Sequence, residues 1–134
     1  RVRVLGPARK YTQIGSAMTE QFKLGSQPPV RESGAVKDTP GCTLEGTTGS
    51  VVIDRGVICA LRHIHMTPAD ALRYGVKDKS VVRVRIEGDR ELIFGDVLIR
   101  VDPGFALAMH IDTDEANAAS VVTGAQGFID GLQD

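Results

Sequence analysis

A run of apolar and β-branched residues leads directly into two histidines separated by one position: Val57-Ile58-Cys59-Ala60-Leu61-Arg62-His63-Ile64-His65. No Gly or Pro interrupts it, so it reads as a buried strand that continues into the histidine pair. Side chains two apart on a strand emerge from the same face. His63 and His65 therefore point together, and Ile64 points the other way, into packing. The only other histidine, His110, ends a second apolar run, Phe105-Ala106-Leu107-Ala108-Met109. The pattern predicts one metal site assembled from two strand ends. Imidazole binds zinc at about 2.0–2.1 Å, and three protein ligands leave a position open for water or substrate. The competing reading is the common one for histidine, an ordinary core or surface residue.

Composition narrows the function classes. At 134 residues the chain is long enough for a hydrophobic core in one domain or two small ones, and its 42% hydrophobic content suits a soluble globular protein. A net charge of −1 gives no general attraction to nucleic acid or to a membrane surface. Four Phe, two Tyr and no Trp leave few stacking platforms for a single-strand binder. No apolar run approaches the ~20 residues of a membrane span, and no signal peptide is evident. Nothing in the composition argues for export. Cys42 and Cys59 form no disulfide framework and no Cys-x-x-Cys; Cys59 reads as a buried apolar thiol. The chain opens on Arg1-Val2-Arg3-Val4-Leu5 without an initiator methionine, which reads as a piece of a longer protein.

In order along the chain, residues 1–5 alternate basic and apolar as a half-buried strand does. Arg1 and Arg3 share a face that meets either an anion or solvent. Gly6-Pro7 breaks this strand, and Ala8-Arg9-Lys10 makes a basic turn able to clamp a phosphate, though basic turns are ordinary surface. Residues 11–17 read as a short strand, and residues 19–24 as one or two helical turns ended by Gly25. Residues 26–41 read as a surface loop interrupted at Pro29-Val30-Arg31. Residues 42–44 and 50–53 read as paired strands around Gly46-Thr47-Thr48-Gly49. After His65, Thr67 is an N-cap and Pro68 a first helical residue, with Gly75 ending the helix. Residues 80–86, 92–94 and 97–101 supply three more strands. Asp112 caps a second helix with Glu115 in capping-box position. Asp70, Asp112, Asp114 and Glu115 are read as caps in preference to general bases. The tail from residue 123 holds three glycines and is expected to be loosely held. Short strands with two-turn helices predict an all-β architecture of small barrels with short capping helices. Residues 1–56 form a central barrel portion, and residues 57–134 a C-terminal barrel carrying the histidines.

Four segments carry a family resemblance. They are Val2-Arg3-Val4-Leu5-Gly6-Pro7-Ala8-Arg9-Lys10-Tyr11-Thr12-Gln13, Pro29-Val30-Arg31-Glu32-Ser33-Gly34, the stretch from Gly56 through His63 and His65 to Pro68, and His110-Ile111-Asp112-Thr113-Asp114-Glu115-Ala116-Asn117-Ala118. In order and spacing the chain resembles the PduL-type phosphate acyltransferases, the phosphotransacylases of bacterial microcompartments. The resemblance implies two small β-barrels with capping helices and exchange of phosphate and coenzyme A on a short acyl group, most often propanoyl. It implies a two-metal site, usually zinc, of which His63, His65 and His110 form one cluster. Arg9 stands where the family places a phosphate-binding arginine, and Arg3, Leu5 and Asn117 at positions of coenzyme A contacts. Two departures accompany it. The family's N-terminal portion, with a His-x-His of its own, is absent, which leaves a sheet edge of the first barrel unpaired. Gly15 stands where the family has a glutamate that ligates the second metal.

The expected protein is thus a metal-dependent acyltransferase acting on acyl-CoA and phosphate, resident in the cytoplasm within a microcompartment. It binds neither nucleic acid nor membrane. Its expected partners are a second copy or a complementing N-terminal fragment, and microcompartment proteins. The main rival is a catalytically inactive, metal-binding assembly domain of a microcompartment, with Gly15 and the lost portion as the reason. A small-ligand binding barrel is a second rival.

Overall fold

The computed structural model describes residues 13–15 and 27–133, together with the backbone of residues 3–4. The chain divides into two compact units, residues 1–61 and 62–134.

In the first unit, strands β1 (Arg3–Val4), β2 (Ile14–Gly15), β3 (Val30–Arg31) and β6 (Val57–Ala60) form a sheet in the order β1-β2-β6-β3. Strand β6 is parallel to both neighbours, pairing Val57 with Ile14 and Cys59 with Val30. Flanked on both edges, it has Val57, Ile58 and Cys59 all buried, as an unbroken apolar run requires. Cys59 is accordingly a buried thiol, as expected. Strands β4 (Cys42–Gly46) and β5 (Gly49–Ile53) make the expected hairpin, a separate two-stranded sheet. Gly41 sits where the chain passes close to the end of β5: a Cβ there would collide with the Ile53 carbonyl oxygen and the Asp54 backbone. Buried Thr39 fastens the same crossing, its Oγ1 donating to the Val36 carbonyl at 2.7 Å and accepting from the Gly56 N–H at 2.9 Å.

The second unit holds β7 (His63–Met66), α1 (Pro68–Tyr74), β8 (Val81–Ile86), β9 (Leu92–Val101), β10 (Ala108–His110), α2 (Thr113–Ala118) and β11 (Phe128–Leu132). Its five strands run in the order β10-β7-β9-β8-β11. One face of this sheet carries Ile64, Met66, Val82, Val84, Ile86, Val97 and Ile99, all buried, with Ala71 of α1 and Ala119 just after α2 in the same core. Burying an aliphatic side chain of this size stabilises by roughly 1.5–3 kcal/mol. That core fixes the alternation of β7 and so sends His63 and His65 to the opposite face.

Both helices start as their sequences specify. Thr67 Oγ1 accepts from the Asp70 N–H, and Asp70 accepts in return from the Thr67 N–H. Hydrogen bonds from Thr67 hold the Asp70 carboxyl below its usual pKa. Asp112 and Glu115 make the second capping box, with bonds of 2.8 and 2.9 Å. Gly75 closes α1 in the left-handed conformation (φ 67°), which glycine adopts without a Cβ penalty.

The architecture is all-β sheets with short helices, as expected, although no sheet among the described residues closes into a barrel. Several finer expectations need correction. The apolar run does not continue as one strand into the histidines. It changes sheet at Leu61–Arg62, where the Leu61 N–H donates to Arg31 and the Arg62 carbonyl accepts from Leu98. The two strands expected over residues 92–101 are one, β9. The tail is held: β11 pairs with β8 across a bulge between Ile129 and Gly131. Beyond β11, the Gln133 N–H donates to Val81 while its side chain exchanges two hydrogen bonds with Asp96, at 2.7 and 2.9 Å. The helical turns expected at residues 19–24 lie outside the described residues.

Candidate metal centre

The three histidines are brought together by sheet register. Strands β10 and β7 are antiparallel with His110 directly opposite His63, and directly opposed residues share a face. Ala108 is opposite His65, so the face reads His63, His65, Ala108 and His110. The ring centroids of His63 and His65 are 4.7 Å apart, those of His63 and His110 5.0 Å, and those of His65 and His110 4.6 Å. One ligand nitrogen from each ring lies within 4.8 Å of the others. Tetrahedral zinc with bonds of about 2.0–2.1 Å needs nitrogens about 3.4 Å apart. Closing that gap takes small torsions of exposed or half-buried rings, so the donor set fits a divalent ion. His63 is buried, His65 half-buried and His110 exposed, so the cluster borders solvent at His110.

Partial burial, and then the Arg100 guanidinium, lower the pKa of His110. Neutral imidazole is the form that ligates, so protons compete less with a metal at neutral pH. Arg100 itself was not singled out from the sequence. Parallel pairing sets it level with His65, on the same face, while Val97, Ile99 and Val101 take the core phase. An isolated charge out of phase with an apolar strand was the available signal. Phe105, from the loop between β9 and β10, also stacks on His65.

Behind the histidines, Arg62 Nε lies 2.7 Å from Glu115 Oε1, and its Nη1 donates to the Gly95 carbonyl at 3.2 Å. The guanidinium also lies over the Phe94 ring at 5.5 Å. The chain segments on either side of the site are thereby tied: Arg62 precedes His63, and Glu115 belongs to α2, which follows His110. Burial pushes the Glu115 carboxyl up, against the Asp112 hydrogen bond and the Arg62 charge.

The remaining sequence candidates are placed differently. Arg9 and Leu5 lie outside the described residues, and of Arg3 only the backbone, in β1, is described. Asn117 is exposed near the end of α2. Gly15 pairs with Arg3 and Ile58 in the first unit. Asp70, Asp112 and Glu115 are engaged as caps.

The chain is similar to several curated proteins named phosphate propanoyltransferase. The one from Thermotoga maritima is 59% identical over 129 residues, 96% of this chain and 61% of the relative. The one from Priestia megaterium is 51% identical over 96% of this chain and 59% of its own length. That from Enterococcus faecalis is 49% identical over 94% of this chain and 60% of its own length. The chain thus spans about 60% of the length of these relatives. A profile of the phosphate propanoyltransferase family matches residues 1–122, a span that takes in all three converging histidines, and the chain belongs to that family.

Proposed function

We propose that the intact protein transfers a short acyl group, propanoyl, between coenzyme A and phosphate, using a divalent ion held by His63, His65 and His110. In this reaction a phosphate oxygen forms a bond to the thioester carbonyl carbon and the carbon–sulfur bond breaks. The proton of hydrogenphosphate ends on the released thiol, giving propanoyl phosphate and coenzyme A. The observation that carries the reading is the convergence of three imidazoles on one sheet face in a member of this family.

His63, His65 and His110 would hold the ion, which when bound would supply Lewis-acid polarisation of a carbonyl and offset developing negative charge. The chain's own residues do the rest. His63 and His110 come from paired strands, so hydrogen-bonded backbone holds the two residues opposite each other, and only ring torsions are left to bring their nitrogens to an ion. Arg100, level with His65, adds a fixed positive charge for an anionic substrate. Arg9 is assigned to phosphate, and Arg3, Leu5 and Asn117 to coenzyme A, on the motif resemblance. Incoming phosphate is itself the nucleophile, so no activated Ser or Cys is needed.

Microcompartment residence, a partner copy and a complementing N-terminal segment rest on the family resemblance. No helix among the described residues is long and apolar enough to cross a membrane. Gly15 favours a second reading, a metal-holding assembly domain without turnover, because glycine cannot supply a carboxylate. The separating experiment is phosphate-dependent release of coenzyme A from propanoyl-CoA by the intact protein. The enzyme reading expects turnover that a chelator abolishes and zinc restores. Bound zinc without turnover supports the assembly domain instead.

A further inference from the structure

The turn after β9 brings an aromatic ring onto the metal centre. Its residues, Asp102-Pro103-Gly104-Phe105, place Asp first and Pro second, as a type I turn favours. The Phe105 N–H donates to the Asp102 carbonyl at 3.1 Å, and the Gly104 N–H donates to Asp102 Oδ1 at 2.8 Å. The Asp102 N–H donates to the Met66 carbonyl at 3.1 Å, which ties the turn to β7 one residue beyond His65. Thus fixed, the Phe105 ring lies flat against His65, with centroids 4.0 Å apart and planes 15° from parallel. That is closer than any ring contact among the three histidines. The terminal torsion of histidine is broad, so an imidazole's plane is set by what packs on it.

We propose that Phe105 is a positioning residue of the metal centre: anchored by the residue 102–105 turn, its ring holds the His65 imidazole in the plane from which it ligates together with His63 and His110. This role rests on the metal reading above. It is distinct from ordinary packing because the ring meets a ligand rather than the core, and the core face of the sheet lies on the other side.

The test compares Phe105→Leu, which keeps apolar bulk without a flat face, with Phe105→Tyr, which keeps the face. Zinc affinity of the intact protein is measured by competition with a chromophoric chelator. The visible spectrum of the cobalt(II)-loaded protein and the melting temperature of the metal-free protein are recorded alongside. Phe105→Leu is expected to weaken zinc about two- to tenfold, the range an aromatic pair supplies, and to shift the cobalt bands. Phe105→Tyr is expected to restore both. Packing alone would lower the metal-free melting temperature and leave affinity and spectrum unchanged, and that result overturns the proposal. If the unsubstituted protein binds no zinc, the metal reading fails first and this role with it.

Discussion

Replacing Glu115 by Ala separates two interactions that the structure concentrates in one side chain. Glu115 accepts from the Asp112 N–H at the start of α2 and pairs with Arg62 Nε at 2.7 Å. The lost half of the capping box is worth about 0.5–1 kcal/mol. A charge-assisted hydrogen bond is worth about 1.5–3 kcal/mol when sheltered. Here the Arg62 side chain is 31% exposed and that of Glu115 17%, so solvent screening reduces the figure to about 1–2 kcal/mol. The expected total is about 2 kcal/mol, or a fall in melting temperature of about 6–10 °C for a chain of this size. Glu115→Gln should behave differently. Burial raises the Glu115 pKa, so the folded state binds its proton more tightly than the unfolded chain does. The stability this supplies is present below the ordinary carboxylate pKa and is lost as pH rises through the raised value. Gln keeps the acceptor oxygen without the buried charge, so at pH 7 it should cost well under 1 kcal/mol relative to Glu. Differential scanning calorimetry of both variants at pH 4 and pH 7 reads these differences. A drop below about 2 °C in Glu115→Ala, or an equal drop in Glu115→Gln at pH 7, would refute the reasoning.

Further outcomes follow from other sites. Because the His110 pKa is lowered on folding, the unfolded chain takes up the extra proton and metal-free stability falls as pH drops from about 6.5 through the lowered value; His110→Asn should flatten that slope in a pH series of thermal melts. Gly41→Ala drives a methyl group into the Ile53 and Asp54 backbone and should cost about 1–3 kcal/mol by urea denaturation. Asp70→Ala removes one arm of the α1 capping box, and its cost should appear as a melting temperature lowered by a few degrees without loss of bound zinc.

What the sequence made legible was local. The His-x-His alternation, the Thr67 and Asp112 caps and the β4–β5 hairpin each depend on residues close in the chain, and each forms as expected. The features that escaped depend on pairing between distant segments. No Gly or Pro marks the change of sheet at Leu61–Arg62, because the partners that impose it, Arg31 and Leu98, are remote in sequence. The glycines of the tail concealed β11, whose ladder to β8 accommodates Gly131 through a bulge and whose end is held by Gln133 and Asp96. Arg100 and Phe105 reach the histidine cluster only through the parallel register of β7 with β9 and through a turn bonded back to Met66. The histidine cluster was readable because two of its imidazoles share a strand and the third ends an apolar run of its own. The charge and the ring around it were not.

The proposed chemistry depends most on three imidazoles holding a single ion. Zinc-edge X-ray absorption on the protein after exhaustive dialysis, beside its His63→Ala and His110→Ala variants, measures this directly. The account predicts retained zinc with imidazole nitrogens at about 2.0–2.1 Å, and loss of that ion in either variant. Zinc retained in full by both variants, or none retained by the unsubstituted protein, would contradict it.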